Sequence, residues 1–171
     1  NKTGKTNLEF RKFLAMKAFE LTSKYDSIIN KWFQKSFTKQ NELPDSLKLD
    51  LKKTYSMRYG ENPHQKAGLY VNEESRNGVA NAIQIQGKDL SYNNICDLEI
   101  AMELVEQFNK PSCVILKHGN PCGMSLNNNQ VFAYKNALLC DPISAFGGVI
   151  AFNQSLSKST AKEVLKLFTE V

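Results

Sequence analysis

Apolar side chains recur at intervals of three and four residues through two successive segments near the N-terminus. This spacing places them on one face of a helix. Thr6-Asn7-Leu8-Glu9 has the spacing of a capping box, which predicts a helix start. Residues 1–40 are therefore predicted to be a helical tail whose apolar side chains are buried against each other or against a neighbouring chain. The residues expected to be covered are Phe10, Phe13, Leu14, Leu21, Trp32 and Phe33.

The remainder of the chain alternates between strand-like and helix-like segments. A polar stretch with one proline, residues 38–50, predicts a linker before them. Strands are predicted at Gly68–Val71, Ala82–Gly87, Ser112–Leu116 and Val149–Phe152, and helices at Leu98–Phe108, Val131–Leu139 and Ser157–Phe168. Because strands and helices follow one another in turn, the pattern predicts an α/β layer with a largely parallel sheet.

Composition and charge narrow the class of protein. The chain has 171 residues and a net charge of +5, and residues 1–40 hold nine basic residues against three acidic ones. A basic, Lys-rich helical stretch is more often a solvated face than a nucleic-acid footprint, so these charges indicate a solvated helix face. The longest apolar runs have four residues, too short for a membrane span. The abrupt first and last residues lead us to expect a piece of a longer protein.

Four cysteines, Cys96, Cys113, Cys122 and Cys140, lack both CxxC spacing and a compact disulfide pattern. Cys113 and Cys140 have apolar sequence neighbours and are expected to be small core residues. Pro121-Cys122 resembles half of the Pro-Cys-x-x-Cys element of zinc deaminases, but Ser125 stands where the second cysteine would be. The sequence therefore predicts no zinc site and a reducing, cytoplasmic setting.

Candidate catalytic residues follow directly after the predicted strand Ser112–Leu116. The segment Lys117–Gly123 contains a lysine, a histidine and two glycines. Ligands of open α/β sheets gather at the carboxyl ends of strands. The charge of Lys117 disfavours protonation of His118, which suits a general base near neutral pH. We expect one tight loop carrying either a catalytic Lys–His pair or an ordinary surface pair.

Three further segments carry side chains suited to binding. The paired glycines of Asp141–Gly148 form either a structural turn or a backbone rim around a ligand. In Arg58–Gln65, an arginine and a tyrosine could hold an anion, the alternative being an ion pair between Arg58 and Glu61. Gly87–Asp97 is a polar turn leading into a helix, with Asn94 or Asp97 as caps or ligand contacts.

Taken together, the motifs Arg58–Gln65, Gly87-Lys88 with Leu90–Asn94, Lys117–Gly123 and Asp141–Gly148 occur in an order that is specific to one family. The chain resembles the bifunctional purine biosynthesis enzymes, which join an IMP cyclohydrolase domain to a phosphoribosylaminoimidazolecarboxamide (AICAR) formyltransferase domain. Arg11–Glu20 resembles the last helices of the cyclohydrolase domain. The resemblance implies that residues 1–48 are the tail of that domain with a linker, and that residues 49–171 are the first half of the formyltransferase domain.

The same resemblance implies a cytidine-deaminase-like α/β fold without a catalytic metal, assembled as a homodimer with its site at the interface. The implied reaction transfers a formyl group from 10-formyltetrahydrofolate to the 5-amino group of AICAR. His118 is implied as the proton acceptor and Lys117 as the transition-state stabiliser, with Asn94 assisting. Arg58, Tyr59, His118, Phe146 and Gly147 are implied as substrate contacts. The alternative is an incomplete, inactive fragment that binds a nucleotide phosphate or serves as a structural half-domain.

Overall fold

The computed structural model describes residues 4–37, 46, 48–72 and 78–171, and the chain divides into two compact units, residues 1–48 and 49–171. In the first unit one continuous helix, α1 (Leu8–Phe37), takes the place of two separate helical segments. It is continuous because no glycine or proline lies between the two apolar stripes. Asn7 rather than Thr6 caps it, since the Asn7 Oδ1 accepts the N–H of Phe10 at 2.8 Å.

The apolar stripe of α1 is exposed, and none of the residues Leu8–Phe37 is buried. The six side chains expected to be covered are between 47% and 70% exposed. Trp32 and Phe33 contact each other with ring centroids 4.9 Å apart. The predicted burial of these side chains against each other is therefore wrong, whereas cover from a neighbouring chain stays a prediction. Most of the predicted linker, residues 38–50, lies outside the described residues.

The described part of the second unit contains two antiparallel sheets and three α-helices. In the smaller sheet β1 (Lys52–Ser56) pairs with β2 (Gly68–Val71), and a 3-10 turn follows at Val79–Asn81. The larger sheet has the order β4-β3-β5. The remaining elements are α2 (Tyr92–Glu106), β3 (Ser112–Lys117), β4 (Asn120–Leu126), α3 (Gln130–Cys140), β5 (Val149–Phe152) and α4 (Lys158–Val164).

The core lies on both faces of the larger sheet, because successive side chains of a strand point to opposite sides. Val114 and Leu116 of β3 pack with Ala101 and Val105 of α2. Cys113 and Ile115 pack on the other face with buried residues of α3, which are Ala133, Tyr134 and Ala137. This helix–sheet–helix arrangement confirms the α/β class. The finer expectation of cytidine-deaminase-like layering stays a prediction.

The expected parallel sheet is wrong, since β3 is antiparallel to both β4 and β5. β4 and β5 consequently run in the same direction, and α3 is the crossover between them. β3 is inserted between the two because a two-residue hairpin turn, His118-Gly119, joins it to β4. The segment Lys117–Gly123 is thus the turn and start of a hairpin rather than one tight loop.

Several local predictions also change. Ala82–Gly87 forms no strand, and its Ile83 and Ile85 are 88% and 93% exposed, because the alternating pattern finds no partner strand among the residues that the structure describes. α2 begins at Tyr92 instead of Leu98, and α4 ends at Val164 instead of Phe168. Among the cysteines, Cys113 is buried as predicted, whereas Cys140 is exposed, which corrects its assignment to the core.

Candidate functional site

The site is built around the turn between β3 and β4. His118 and Gly119 have φ angles of 51° and 74°, and two successive positive φ values are those of a type I′ hairpin turn. A left-handed conformation costs an L-residue about 1–2 kcal/mol. Among the residues that the structure describes, His118 is the one non-glycine with positive φ. Strain of this kind persists where surrounding contacts impose it, and it clusters at functional sites.

Two side chains brace this turn from different directions. The Oδ1 of Asp97, on α2, accepts the N–H of Gly119 at 2.8 Å. The Nδ2 of Asn120 donates to the carbonyl oxygen of His118 at 3.0 Å. The turn is therefore fixed both to the neighbouring helix and to its own hairpin, and the imidazole of His118 extends from it into an exposed position.

Lys117 connects the hairpin to the loop Asp141–Gly148. Its Nζ donates to the carbonyl oxygen of Phe146 at 2.6 Å. At the start of the loop, Asp141 accepts the N–H of Ser144 at 3.0 Å, and hydrogen bonds from Ser144 lower the pKa of the Asp141 carboxyl. Gly147, with a φ of 71°, donates its N–H to the carbonyl oxygen of Phe168 at 2.8 Å. The lysine ammonium is thereby held at the rim of this loop.

Asn94 lies at the N-terminus of α2, where it completes a capping box with Ser91. The Ser91 Oγ accepts the Asn94 N–H at 3.3 Å, and the Asn94 Oδ1 accepts the Ser91 N–H at 3.0 Å. Both residues are buried. The structure thus gives Asn94 a capping role, and its expected assistance in catalysis stays a prediction.

Arg58 and Tyr59 follow β1 and are hydrogen-bonded through their backbones to the segment before α2. The Arg58 guanidinium lies 4.9 Å from the centroid of the Tyr59 ring and donates to its hydroxyl at 3.2 Å. It also pairs with the Glu170 carboxylate at 3.4 Å. The partner of Arg58 is therefore Glu170 instead of Glu61.

These elements enclose a small polar pocket of about 130 Å³. Five of the seven candidate site residues line it, namely Tyr59, Asn94, Lys117, His118 and Gly147. Arg58 and Phe146 do not line the pocket, but each is hydrogen-bonded to a residue that does. Arg58 is bonded to Glu170, and Phe146 is bonded to Lys117. The other lining residues are Ser91, Asn93, Asp97, Val149 and Glu170.

Sequence reasoning singled out Asp97 among these but missed Ser91, Asn93, Val149 and Glu170. Ser91 could have been found, because Ser-x-x-Asn before an apolar run is a variant of the capping-box pattern. Glu170 carried no local signal, since it is 112 positions from its partner Arg58. Among the described residues, no group of three or more His, Cys, Asp or Glu side chains is placed to hold a metal ion. No helix in the described ranges is long and apolar enough to cross a membrane.

Fold and site together define an α/β protein with a polar pocket at the hairpin end of its sheet. A family model described as "AICARFT/IMPCHase bienzyme" matches residues 1–171. The chain belongs to this family, which confirms the resemblance carried by the four ordered motifs.

Relatives from different species in this family carry the same name. The bifunctional purine biosynthesis protein PurH of Rhizobium rhizogenes is 50% identical over 174 residues, with 98% of this chain and 31% of the relative covered. The protein of the same name from Buchnera aphidicola is 48% identical over 177 residues, covering 99% of this chain and 34% of the relative. The chain therefore spans about a third of the length of these relatives.

Proposed function

We propose that this chain contributes the catalytic Lys–His pair of an AICAR formyltransferase, which moves a formyl group from 10-formyltetrahydrofolate to the 5-amino group of AICAR. The observation that carries the proposal is the meeting of Lys117 and His118 at one turn, in a pocket also lined by Asn94, Tyr59 and Gly147. The names of the relatives support purine biosynthesis as the setting.

His118 acts as the general base in this proposal. The 5-amino group is a weak nucleophile because its lone pair is delocalised into the imidazole ring of the substrate. As its nitrogen bonds to the formyl carbon, His118 takes the proton that the amine loses. The braced turn supports this role, because a base is effective only when it is held within hydrogen-bond reach of the proton.

Lys117 stabilises the charge that develops on the formyl oxygen in the tetrahedral intermediate. The bond from the folate nitrogen to the formyl carbon then breaks, and that nitrogen leaves with the proton that His118 took from the amine. The Lys117 ammonium already donates to the Phe146 carbonyl at 2.6 Å, so its position is fixed before substrate arrives. A fixed donor needs no reorganisation during the reaction, which is the basis of electrostatic catalysis.

Arg58 and Tyr59 supply donors for the phosphate of AICAR, since a guanidinium and a hydroxyl suit phosphate oxygens. Glu170 currently pairs with Arg58 at 3.4 Å, so the incoming dianion exchanges places with this carboxylate or shares the guanidinium with it. The exposed ring of Phe146 and the backbone of Gly147 form the neighbouring wall for the nucleotide.

The pocket is too small to be the whole proposed site. Its volume of about 130 Å³ falls below the roughly 300–1,000 Å³ of typical small-molecule sites. The remaining walls would come from other parts of the whole protein or from a second copy in a homodimer. The same shortfall favours the second candidate function, in which this part of the chain alone holds a nucleotide phosphate without turnover. A cytoplasmic location stays part of the proposal.

The test is formyl transfer by the whole protein with His118→Asn. Asparagine tolerates positive φ better than alanine does, so the turn is kept while the base is lost. We expect turnover to fall by about two to four orders of magnitude, far more than the affinity for AICAR falls, because Arg58 and Tyr59 still hold its phosphate. Lys117→Ala should slow turnover by about two to three orders of magnitude.

His64→Asn is the matched control, because His64 is the other histidine of the chain and lies outside the pocket lining. It should leave turnover unchanged. Near-normal turnover by a folded His118→Asn protein would remove His118 from the mechanism. A wild-type protein that binds AICAR but transfers no formyl group would support the phosphate-binding alternative.

A further inference from the structure

We propose that Asp97 is a positioning residue for the His118-Gly119 turn, an inference that rests on the proposed formyl transfer. Asp97 lies in α2, and its Oδ1 accepts the N–H of Gly119 at 2.8 Å. It lines the same pocket as Lys117 and His118. Asp97 is therefore the link between a helix and the turn that carries the proposed base.

The turn needs such a link because its conformation is strained. His118 has a φ of 51°, a conformation that persists only where the surroundings impose it. The hairpin itself pairs Lys117 with Asn120 across the turn, and in a type I′ turn the N–H of the second central residue has no partner in the ladder. Asp97 supplies that partner, and its negative charge makes the hydrogen bond a strong one.

The helix that carries Asp97 is a rigid support. Ala101 and Val105 of α2 are fully buried against Val114 and Leu116 of β3. The direction of the Asp97 side chain is consequently tied to the strand that leads into the turn. A functional side chain held by a packed element keeps its geometry better than one on a free loop.

The same helix, α2, also contains a similar hydrogen bond outside the pocket, which serves as a control. Glu99 accepts the N–H of Val79 at 2.8 Å, so it repeats the bond from a carboxylate to a backbone N–H at equal length. Glu99 does not line the pocket. Loss of its contact should alter local order without altering the turn.

The experiment measures kcat, the KM for AICAR and amide hydrogen exchange in the whole protein with Asp97→Ala, Asp97→Asn and Glu99→Ala. Asp97→Ala should lower kcat by about 10- to 100-fold, the scale of a misplaced catalytic group. The KM for AICAR should stay within about two-fold, since binding contacts are kept. Exchange at the Gly119 amide should accelerate.

Asp97→Asn retains an oxygen that can accept the Gly119 N–H, so it should restore both the protection of Gly119 and most of kcat. Glu99→Ala should keep kcat near the wild-type value. The inference is overturned if Asp97→Ala leaves kcat or the Gly119 exchange unchanged, or if Glu99→Ala loses as much kcat. It is also overturned if Asp97→Asn protects Gly119 yet stays as slow as Asp97→Ala.

Failure of the proposed function has a different signature. A wild-type protein without formyl transfer overturns that function, and with it the catalytic part of this inference. Unchanged exchange at Gly119 in Asp97→Ala, with wild-type formyl transfer intact, overturns the positioning role alone.

Discussion

The helix α1 and the strand β3 both carry many apolar residues but lie in opposite environments. α1 runs for 30 residues without a buried side chain, whereas Cys113 to Leu116 of β3 are completely buried. A helix satisfies its backbone hydrogen bonds internally, so the backbone of α1 is bonded by its own residues. A strand obtains its hydrogen bonds from neighbours, so β3 exists only as the centre of a folded unit.

The difference shows that periodicity predicts an element more securely than its burial. α1 is supported by local contacts such as the ion pairs of Lys12 with Glu9 and Lys17 with Glu20. β3 is supported by elements on both sides and on both faces. Substitutions in β3 should therefore unfold a whole unit, whereas substitutions in α1 should have local effects.

The largest expected effect comes from truncating the same residue type in the two regions. Leu116→Ala in β3 should lower the free energy of unfolding of residues 49–171 by about 2–5 kcal/mol, the range for a large-to-small core change. Leu14→Ala in α1 should change stability by less than about 0.5 kcal/mol, as at an exposed position. Chemical denaturation with hydrogen exchange mass spectrometry separates the two units. Equal losses would mean that α1 is covered in the whole protein.

A smaller difference in stability is expected between variants of the N-terminal caps of α2 and α1. Ser91 is buried in its capping box with Asn94, whereas Asn7 caps α1 in solvent through one bond of 2.8 Å. Ser91→Ala should cost about 1–2 kcal/mol and Asn7→Ala about 0.5–1 kcal/mol, within the range for N-caps. Thermal unfolding followed by circular dichroism measures both. A greater loss for Asn7→Ala would contradict the local character of α1.

Two further expected effects depend on pH. Burial raises the pKa of the Cys113 thiol to about 12, so the unfolded chain releases this proton first, at a pH of roughly 8.5. The free energy of unfolding of residues 49–171 should therefore fall as the pH rises from there toward 12. Cys113→Ala should flatten this decline only in part, because burial also raises the pKa values of Tyr55 and Tyr134.

In α1 the pH dependence has the opposite sign, because stability is lost toward low pH. The hydrogen bond from Lys17 lowers the pKa of the Glu20 carboxyl, so its contribution is present above the ordinary carboxyl pKa and lost as the pH falls through the lowered value. Circular dichroism should show a slightly larger acid loss of helicity in the wild type than in Glu20→Gln, which keeps the ion pair of Lys12 with Glu9. A pH-independent difference would assign Glu20 no ionic role.

The sequence by itself determined the features whose causes are local. Three- and four-residue spacing predicted α1 and α3, and a compact apolar run predicted β3 and β5. The order of the motifs identified the family and selected Lys117 and His118, because a motif is a property of neighbouring residues. None of these predictions required knowing which elements lie side by side.

Only the tertiary structure decided that Asn120–Leu126 is a strand. Its Pro121 and Gly123 are typical of a loop, yet Pro121 is tolerated at an irregularity of an edge strand. Gly123 is required there because a Cβ would collide with the carbonyl oxygen of Ala137 on α3. Conversely, Ala82–Gly87 alternates like a strand but has no strand beside it in the described part of the chain. Strand pairing and the contact of Arg58 with Glu170 depend on residues far apart in sequence, and no local pattern encodes them.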